Sequence, residues 1–416
     1  MESQLIERLN TACPALKAAQ LGSLLDDFQG MLPGLIRGTW YFVDPKTGDN
    51  SKDGLSPATA VKDIETAYLR CKDGEGDGIA VLSAGTTSAH TTSYLKKTLV
   101  WAKSGITVIG VASGSRMASR ARIASKEITS TGTTFAQAAH AITRETGSFI
   151  ADGWVVGMKG YIADSGSNNG ATFTVTEVSA LSMTVSETLN VQTKAQTVSC
   201  VLTSYLPNVL TVSGSNNAFF NISIGNYGSQ AGAIGGLLVT GARNYFDRCH
   251  LLGACATAPA ATTGAYDIKL DDGASENTFE RCVIGSNTVI RAAANGNIAF
   301  AGSAAGTAPD RNAFYDCDIL SYSETSGKGA IISESATSLQ GVAIFARCRF
   351  INWNDNGIGA LTSAFIGTKP TSGAILMDCC SLVGWAAWDS VGGNDMVYVA
   401  NSAAVAAGAG GIATTV

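Results

Sequence analysis

An all-β solenoid, a parallel β-helix, is the fold class this chain predicts, and three observations predict it. The first is a repeat. Asn217-Ala-Phe-Phe-Asn-Ile222-Ser-Ile224, Asn244-Tyr-Phe-Asp-Arg-Cys249-His-Leu251, Asn277-Thr-Phe-Glu-Arg-Cys282-Val-Ile284 and Asn312-Ala-Phe-Tyr-Asp-Cys317-Asp-Ile319 agree at their apolar positions. Looser copies follow at Phe345-Ala-Arg-Cys348-Arg-Phe350 and Leu376-Met-Asp-Cys379-Cys-Ser-Leu382. The second is the spacing: the anchors Ile222, Cys249, Cys282, Cys317, Cys348 and Cys379 lie 27, 33, 35, 31 and 31 residues apart, a period of solenoids and propellers. The third is the alternation within each copy, where the anchor and the residue two later are apolar and their neighbours mostly charged or polar, as in a strand with one buried face.

Connecting lengths vary while the strand does not, so strands stack on their equivalents and insertions are expelled outward. The Phe three before each anchor breaks parity with it, which predicts a bend between them, with the preceding Asn in a turn that tolerates left-handed dihedrals. Stacked positions become neighbours about 4.8 Å apart. One before the anchor, Arg281, Asp316, Arg347 and Asp378 alternate in sign, and one after it Asp318 falls beside Arg349, so these charges read as a ladder between coils. Cys249, Cys282, Cys317, Cys348 and Cys379 read as a reduced, buried core column, since no Cys-x-x-Cys or Cys/His spacing accompanies them.

The elements follow in order. Residues 1–36 carry Leu5 and Leu9, then Leu21, Leu24, Leu25 and Phe28 at helical spacing, interrupted by Pro14 and ended by Gly30 and Pro33. So short an amphipathic arm needs a neighbour to dock on. Residues 37–144 begin with Trp40-Tyr-Phe-Val, pass through the loop Gly48-Asp-Asn-Ser-Lys-Asp-Gly-Leu-Ser-Pro57, and continue into a helix with Val61, Ile64, Ala67 and Tyr68 on one face. Gly78-Ile-Ala-Val-Leu82 and Gly105-Ile-Thr-Val-Ile-Gly110 are then short buried strands. Residues 145–203 alternate around glycine turns, from Gly147-Ser-Phe-Ile-Ala-Asp-Gly-Trp-Val-Val-Gly157 through Ala171-Thr-Phe-Thr-Val-Thr-Glu-Val178 to Leu181-Ser-Met-Thr-Val-Ser-Glu187, and read as an inserted antiparallel β-domain. Coils occupy 204–400, and 401–416 is an Ala/Gly tail.

The strand, loop and capping helix of 37–70 resemble the N-terminal opening of the pectate-lyase-like right-handed parallel β-helix of tailed-bacteriophage proteins. The 145–203 segment resembles a small β-domain inserted in phage virion proteins. The resemblance implies a right-handed helix, a homotrimer about its long axis, and attachment through residues 1–36 to a capsid or another virion protein. It transfers no active site, because this fold serves lyases, hydrolases and inert scaffolds alike.

Composition narrows the partners. A net charge of −5 without a basic run excludes attraction to nucleic acid or an anionic membrane. The opening Met-Glu-Ser-Gln-Leu-Ile-Glu-Arg lacks a basic n-region and an apolar core, so no secretory signal is expected and synthesis in a bacterial cytoplasm fits. No cofactor or metal is expected. His90, His140 and His250 are far apart, with His250 expected at a solvated outward position, and no Gly-x-Ser-x-Gly elbow supports a serine nucleophile. Ser326-Gly-Lys-Gly329 lacks the rest of a phosphate loop.

Carboxylates are the candidates for chemistry, since glycan-cleaving β-helices place two or three on one outer face. Asp267, Asp271 and Asp272 would have to meet Glu280, Asp316 or Asp318 from adjacent coils. Against this, Asp271-Asp272-Gly273 reads equally as a turn, and the ladder accounts for Asp316 and Asp318. No catalytic residue is therefore assigned. Trp353, Trp385, Trp388 and Tyr398 suit sugar stacking, but suit the capping of the last coil or a subunit interface better. The sequence thus points to a structural protein on a tailed-phage particle, in a capsid decoration role. The competing reading is a tailspike or receptor-binding protein that binds or cleaves host surface polysaccharide.

Overall fold

Each copy of the repeat folds as two short strands meeting at one left-handed residue. Ala218–Phe220 runs into Ile222–Gly225 through Asn221 at φ 51°, and the same corner recurs at Arg248, Arg281, Asp316, Arg347 and Cys379 with φ between 51° and 53°. One residue per corner turns the chain sharply enough to start a new sheet, which explains the change of parity between the Phe and the anchor. The computed structural model describes residues 37–83, 91–112, 121–132, 135–163, 166–192, 200–292, 294–323, 328–353, 363–385, 387–388 and 397–400. The expected arm of 1–36 and tail of 401–416 lie outside these, as do His90, Ser326 and Gly327.

The coils build three parallel sheets and the chain is a right-handed parallel β-helix. The first sheet has ten strands, from Trp40–Val43 to Val397–Ala400. The second has eight, from Thr92–Leu95 to Ser381–Val383, and the third seven, from Leu99–Trp101 to Phe365–Gly367. In each coil the chain visits the third sheet, then the first, then the second. Within the described residues a fourth sheet of seven strands is antiparallel and draws its strands from Thr129–Gly132 through Cys200–Tyr205. It leaves the rod after Ala121–Ser125 and returns at Asn208–Val212, and it has its own core around Phe149, Trp154, Phe173 and Leu202. Three of its strands precede residue 145, and Phe149–Asp152 is a helical turn capped by Ser148, where the alternation had suggested a strand.

Side chains pointing inward form columns. Phe219, Phe246, Phe279, Phe314 and Phe345 stack with centroids 4.9, 4.8, 4.7 and 4.4 Å apart and planes within 6° of parallel. The strand spacing imposes that separation, and each fully buried ring contributes about 1.5–3 kcal/mol. Beside them the thiols of Cys249, Cys282, Cys317 and Cys348 donate to the carbonyl of the Phe one coil earlier at 3.3–3.4 Å. The last member of this column is Cys380, not Cys379. Pairing of Ser372–Asp378 with Gln340–Ala346 sets Met377 opposite Phe345, so the corner falls on exposed Cys379 and the next thiol points inward, to Phe345 O at 3.3 Å. The same register removes Asp378 from the charge column, since it pairs with Ala346.

The asparagines do not take the left-handed turn expected of them. That conformation belongs to the residue before each, at Asn216, Arg243, Glu276 and Arg311 with φ between 49° and 58°. The asparagines themselves are buried and form a continuous ladder. Asn217 donates its backbone N and Nδ2 to Asn244 Oδ1 at 3.0 and 3.1 Å; Asn244 donates likewise to Asn277 at 2.9 and 3.0 Å, and Asn277 to Asn312 at 3.1 and 3.0 Å. Their Nδ2 groups also cap Gly214 O, Gly241 O and Ala274 O. Trp101 Nε1 and Ile106 N engage Asn217 Oδ1 at one end, and Ala343 follows at the other.

The opening is closed by the helix Ile64–Arg70, with Asp63 as N-cap and Ile64, Ala67 and Tyr68 buried on the expected face. Tyr68 packs against Trp101 with the ring centroids 4.3 Å apart, and Lys103 Nζ donates to the carbonyls of Tyr68, Leu69 and Cys71 at the helix C-terminus. Such a lid covers the apolar end that a solenoid otherwise exposes.

Two substitutions test this account. Asn277→Ala strands buried donors and acceptors on both neighbouring coils and is expected to lower unfolding free energy by on the order of 3 kcal/mol in denaturant titration; a loss within about 0.5 kcal/mol contradicts the ladder's role. At the exposed corner, Cys379→Gly is expected to raise stability by roughly 0.5–1 kcal/mol while Cys379→Val lowers it, and equal midpoints for the two would refute strain at that site.

Candidate functional site

The sequence-derived carboxylates are placed on different parts of the rod. Asp267 is buried between the second and third sheets, where it binds Arg291 and accepts from Gly253 N at 2.6 Å and Asn297 Nδ2 at 2.8 Å. Asp271 and Asp272 form the turn after Leu270, and Asp272 staples the next coil by accepting from Ser303 N and Thr307 Oγ1 at 2.9 and 3.0 Å. Asp316 lies on a corner with Arg347, both bonds at 2.8 Å, and Asp318 on the second sheet with Arg349 at 2.5 and 2.8 Å, as stacking predicts. Glu280 alone among the six stands on the outer face of the first sheet.

What joins Glu280 there is Asp247, directly opposite it in register one coil earlier. Strand Tyr245–Asp247 presents Tyr245 and Asp247 outward while Phe246 points into the core, and the corner supplies Arg281. Arg281 Nε donates to Asp247 Oδ1 at 2.8 Å and its NH2 lies 3.4 Å from Glu280 Oε1. Tyr245 Oη donates to Glu280 Oε2 at 2.5 Å, and Arg248 Nε approaches Asp247 Oδ2 at 3.9 Å. Arg281 therefore pairs with Asp247 and Glu280, while the Asp316 carboxyl is held below its ordinary value by its hydrogen bond to Arg347 and, in smaller part, by the charge of Arg281. Burial pushes Asp247 above the ordinary carboxylate value, partly offset by its hydrogen bond and charge pairing with Arg281. Burial also raises the Tyr245 phenol, and its bond to Glu280 adds to this.

Chemically, this is a pair of carboxylates on strands about 4.8 Å apart, bridged by one guanidinium, with a phenol on Glu280. Glycoside hydrolysis by retention uses carboxyl groups at about 5 Å, but one of them must be free to deliver or take a proton. Asp247 is 7% exposed and held by Arg281, while Glu280 accepts the phenol. Each group is satisfied within the face. Asp247 escaped the sequence reading, though it was legible: it occupies the same repeat position as Glu280.

Other candidates resolve individually. His250 is buried rather than solvated, because the chain at Gly285 one coil on lies over it, with Nε2 3.2 Å from the Gly285 carbonyl oxygen. His140 is exposed. Trp385 and Trp388 are buried at the last coils, Trp388 packing edge-on to Phe350 at 5.4 Å, whereas Trp353 and Tyr398 are exposed. Among the described residues no three His, Cys, Asp or Glu side chains converge as a metal site, and the nine described cysteines are free thiols. No helix in the described residues is long and apolar enough to cross a membrane.

Fold and surface together define a right-handed parallel β-helix protein with charge-paired outer faces. No protein-family model matches the chain, and no curated protein matches it. Among solved structures it is similar to pectin methylesterase PemA from Erwinia chrysanthemi, at 12% identity over 89% of this chain and 91% of that one, with a TM-score of 0.46. A rhamnogalacturonan lyase gives 13% identity over 91% and 78%, TM-score 0.45. The Gp54 tailspike of Acinetobacter baumannii bacteriophage AP22, solved with a capsular saccharide, gives 12% over 77% and 55%, TM-score 0.25. At these identities and scores the likenesses carry nothing about what the chain binds or acts on.

The raised Asp247 has a consequence for pH. The folded protein binds this proton more tightly than the unfolded chain, so the group's contribution is most favourable below the ordinary value near 4 and is lost as pH rises through the raised one. Asp247→Asn removes that dependence. Its thermal midpoint relative to the unsubstituted protein is expected to improve between about pH 4 and pH 7, and a difference constant across that range contradicts the assignment.

Proposed function

We propose that the chain is a structural protein of a tailed-phage virion, a rigid β-helix displayed on the particle surface in a capsid decoration role. The observation that carries this reading is the pairing of outward charges across coils. Asp247 with Arg281, Glu276 with Arg243 and Arg311, Asp316 with Arg347 and Asp318 with Arg349 join neighbouring coils, and Glu334 with Lys269 reaches across the coil between them. Each exposed pair contributes at most about 1 kcal/mol, yet together they commit these five carboxylates to holding the rod. The resemblance of the Gly48 to Pro57 loop and of the inserted β-domain to phage proteins supplies the virion context. In this reading the chain is a homotrimer attached through residues 1–36, and a stiff body is the useful property because every coil adds strand bonds to its neighbours.

A second reading, a tailspike that binds or cleaves host polysaccharide, is favoured by one observation, the adjacent Asp247 and Glu280 beside Tyr245. Two measurements separate the readings. Immunogold labelling of phage particles is expected to mark capsids, with no new reducing ends released from host lipopolysaccharide or capsule. Labelling confined to tails, together with cleavage abolished by Asp247→Asn or Glu280→Gln, would establish the second reading instead.

A further inference from the structure

We propose that Tyr94, Tyr227, Arg122 and Lys126 form a binding site for an acidic saccharide unit on the second sheet, near the root of the inserted antiparallel unit. The site rests on neither reading of the virion role and is separate from the Asp247 and Glu280 face.

Three consecutive rungs build it. Tyr94 pairs with Ala124, and Ala124 with Gly225, so a large ring, a methyl group and a bare backbone succeed one another on one outward column. The Tyr227 ring lies flat on Gly225: a Cβ there would stand 2.7 Å from Tyr227 Cε2 and 3.0 Å from its Cζ. The glycine is required by this close approach, and Tyr227 N is fixed by Ser125 Oγ at 2.8 Å. One ring face is thus backed by the sheet while the residue remains 44% exposed; Tyr94 is 39% exposed. A ring already held in place loses little freedom when a ligand stacks on it.

The charges around it differ from those elsewhere on the rod. Every arginine from Arg243 to Arg349 lies within 4.0 Å of a carboxylate. Arg122, on the same sheet face and two residues before Ala124, forms no ion pair with any described residue. Lys126 Nζ sits 5.9 Å from the Tyr94 ring centroid and has no carboxylate partner among the described residues. The phenol of Tyr227, raised mainly by burial, lies within reach of the Arg122 charge. The neighbouring carboxylate Glu127 is engaged by Ser229 N and Oγ at 2.6 and 2.9 Å. Segments 84–90 and 113–120, which lead into the two strands, contain no Asp or Glu.

Two exposed tyrosine rings beside two cations without carboxylate partners among the described residues call for a ring that is apolar on one side and carries a negative charge. A uronic or sialic acid unit has both properties: its C–H face stacks on the phenol ring and its carboxylate meets the guanidinium.

The test is a glycan array that sets acidic oligosaccharides beside their carboxyl-reduced counterparts, probed with the full-length protein at low and high salt. Retention of acidic members over reduced ones is expected, weakening as salt rises. Arg122→Gln and Tyr227→Ala are each expected to weaken it roughly tenfold. Tyr227→Phe, which keeps the ring, is expected to bind normally, so that a general folding defect is recognised. Equal retention of acidic and reduced members, or retention of neither, overturns the proposal. So does binding unchanged by Arg122→Gln but lost in Asp247→Asn, an outcome that would instead strengthen the polysaccharide reading of the first sheet.

Discussion

Register between one coil and the next is the constraint from which the rest of this molecule follows, and a buried amide enforces it. An asparagine inside an apolar rod has to satisfy an acceptor and two donors, and the only partners at hand are the backbone of adjacent coils and the asparagine stacked upon it. Sliding one coil by a residue would strand those groups in the core. The Phe and Cys columns add burial energy, but stacked apolar side chains tolerate small offsets that amides do not. The ladder therefore specifies alignment, and the apolar columns reward it.

The left-handed corners show the same economy. A non-glycine residue at φ near 50° costs about 1–2 kcal/mol, yet the rod accepts arginine, aspartate and asparagine there repeatedly. In return, the corner side chain is thrown outward at the edge shared by two sheets, where successive coils bring opposite charges together. Arg243, Glu276 and Arg311 form one such series and Asp316 with Arg347 another. The positions that bend the chain are thus the positions that tie coils from outside, much as the asparagines tie them from within.

Much of this was legible in the sequence. The octet, its period and its alternation contain the strands, the buried cysteines and the Asp318–Arg349 pair, because stacking converts a repeat position directly into a spatial neighbour. Failures arose where a local choice had to be made inside the repeat. Asn looked like the turn residue because its short amide favours left-handed dihedrals, but burial of that amide was worth more, and its predecessor took the strain. In Met377-Asp-Cys-Cys380 two thiols were available, and only the pairing of Met377 with Phe345 decides which points inward. Asp247 was hidden for another reason: a lone acid in one copy draws attention only when its column is read across to Glu280. The solvated His250 and the strand at Phe149 failed through tertiary cover and a local serine cap, which periodicity does not encode.

The antiparallel unit has a property that matters beyond its own core. Its outermost segments are joined to each other, Thr129 lying opposite Thr203 in an antiparallel pair, and the chain departs at Ser125 and resumes at Asn208 beside the same coil. Chain entropy would ordinarily penalise a detour that separates Leu99 from its rung neighbour Leu210. Here the detour is clasped at its base, so the rod experiences it as little more than a tight connection. Such a self-closing appendage is replaceable: a different clasped module, or a short hairpin, grafted between Glu127 and Tyr205 would keep the contacts these two residues make with the spiral beneath it.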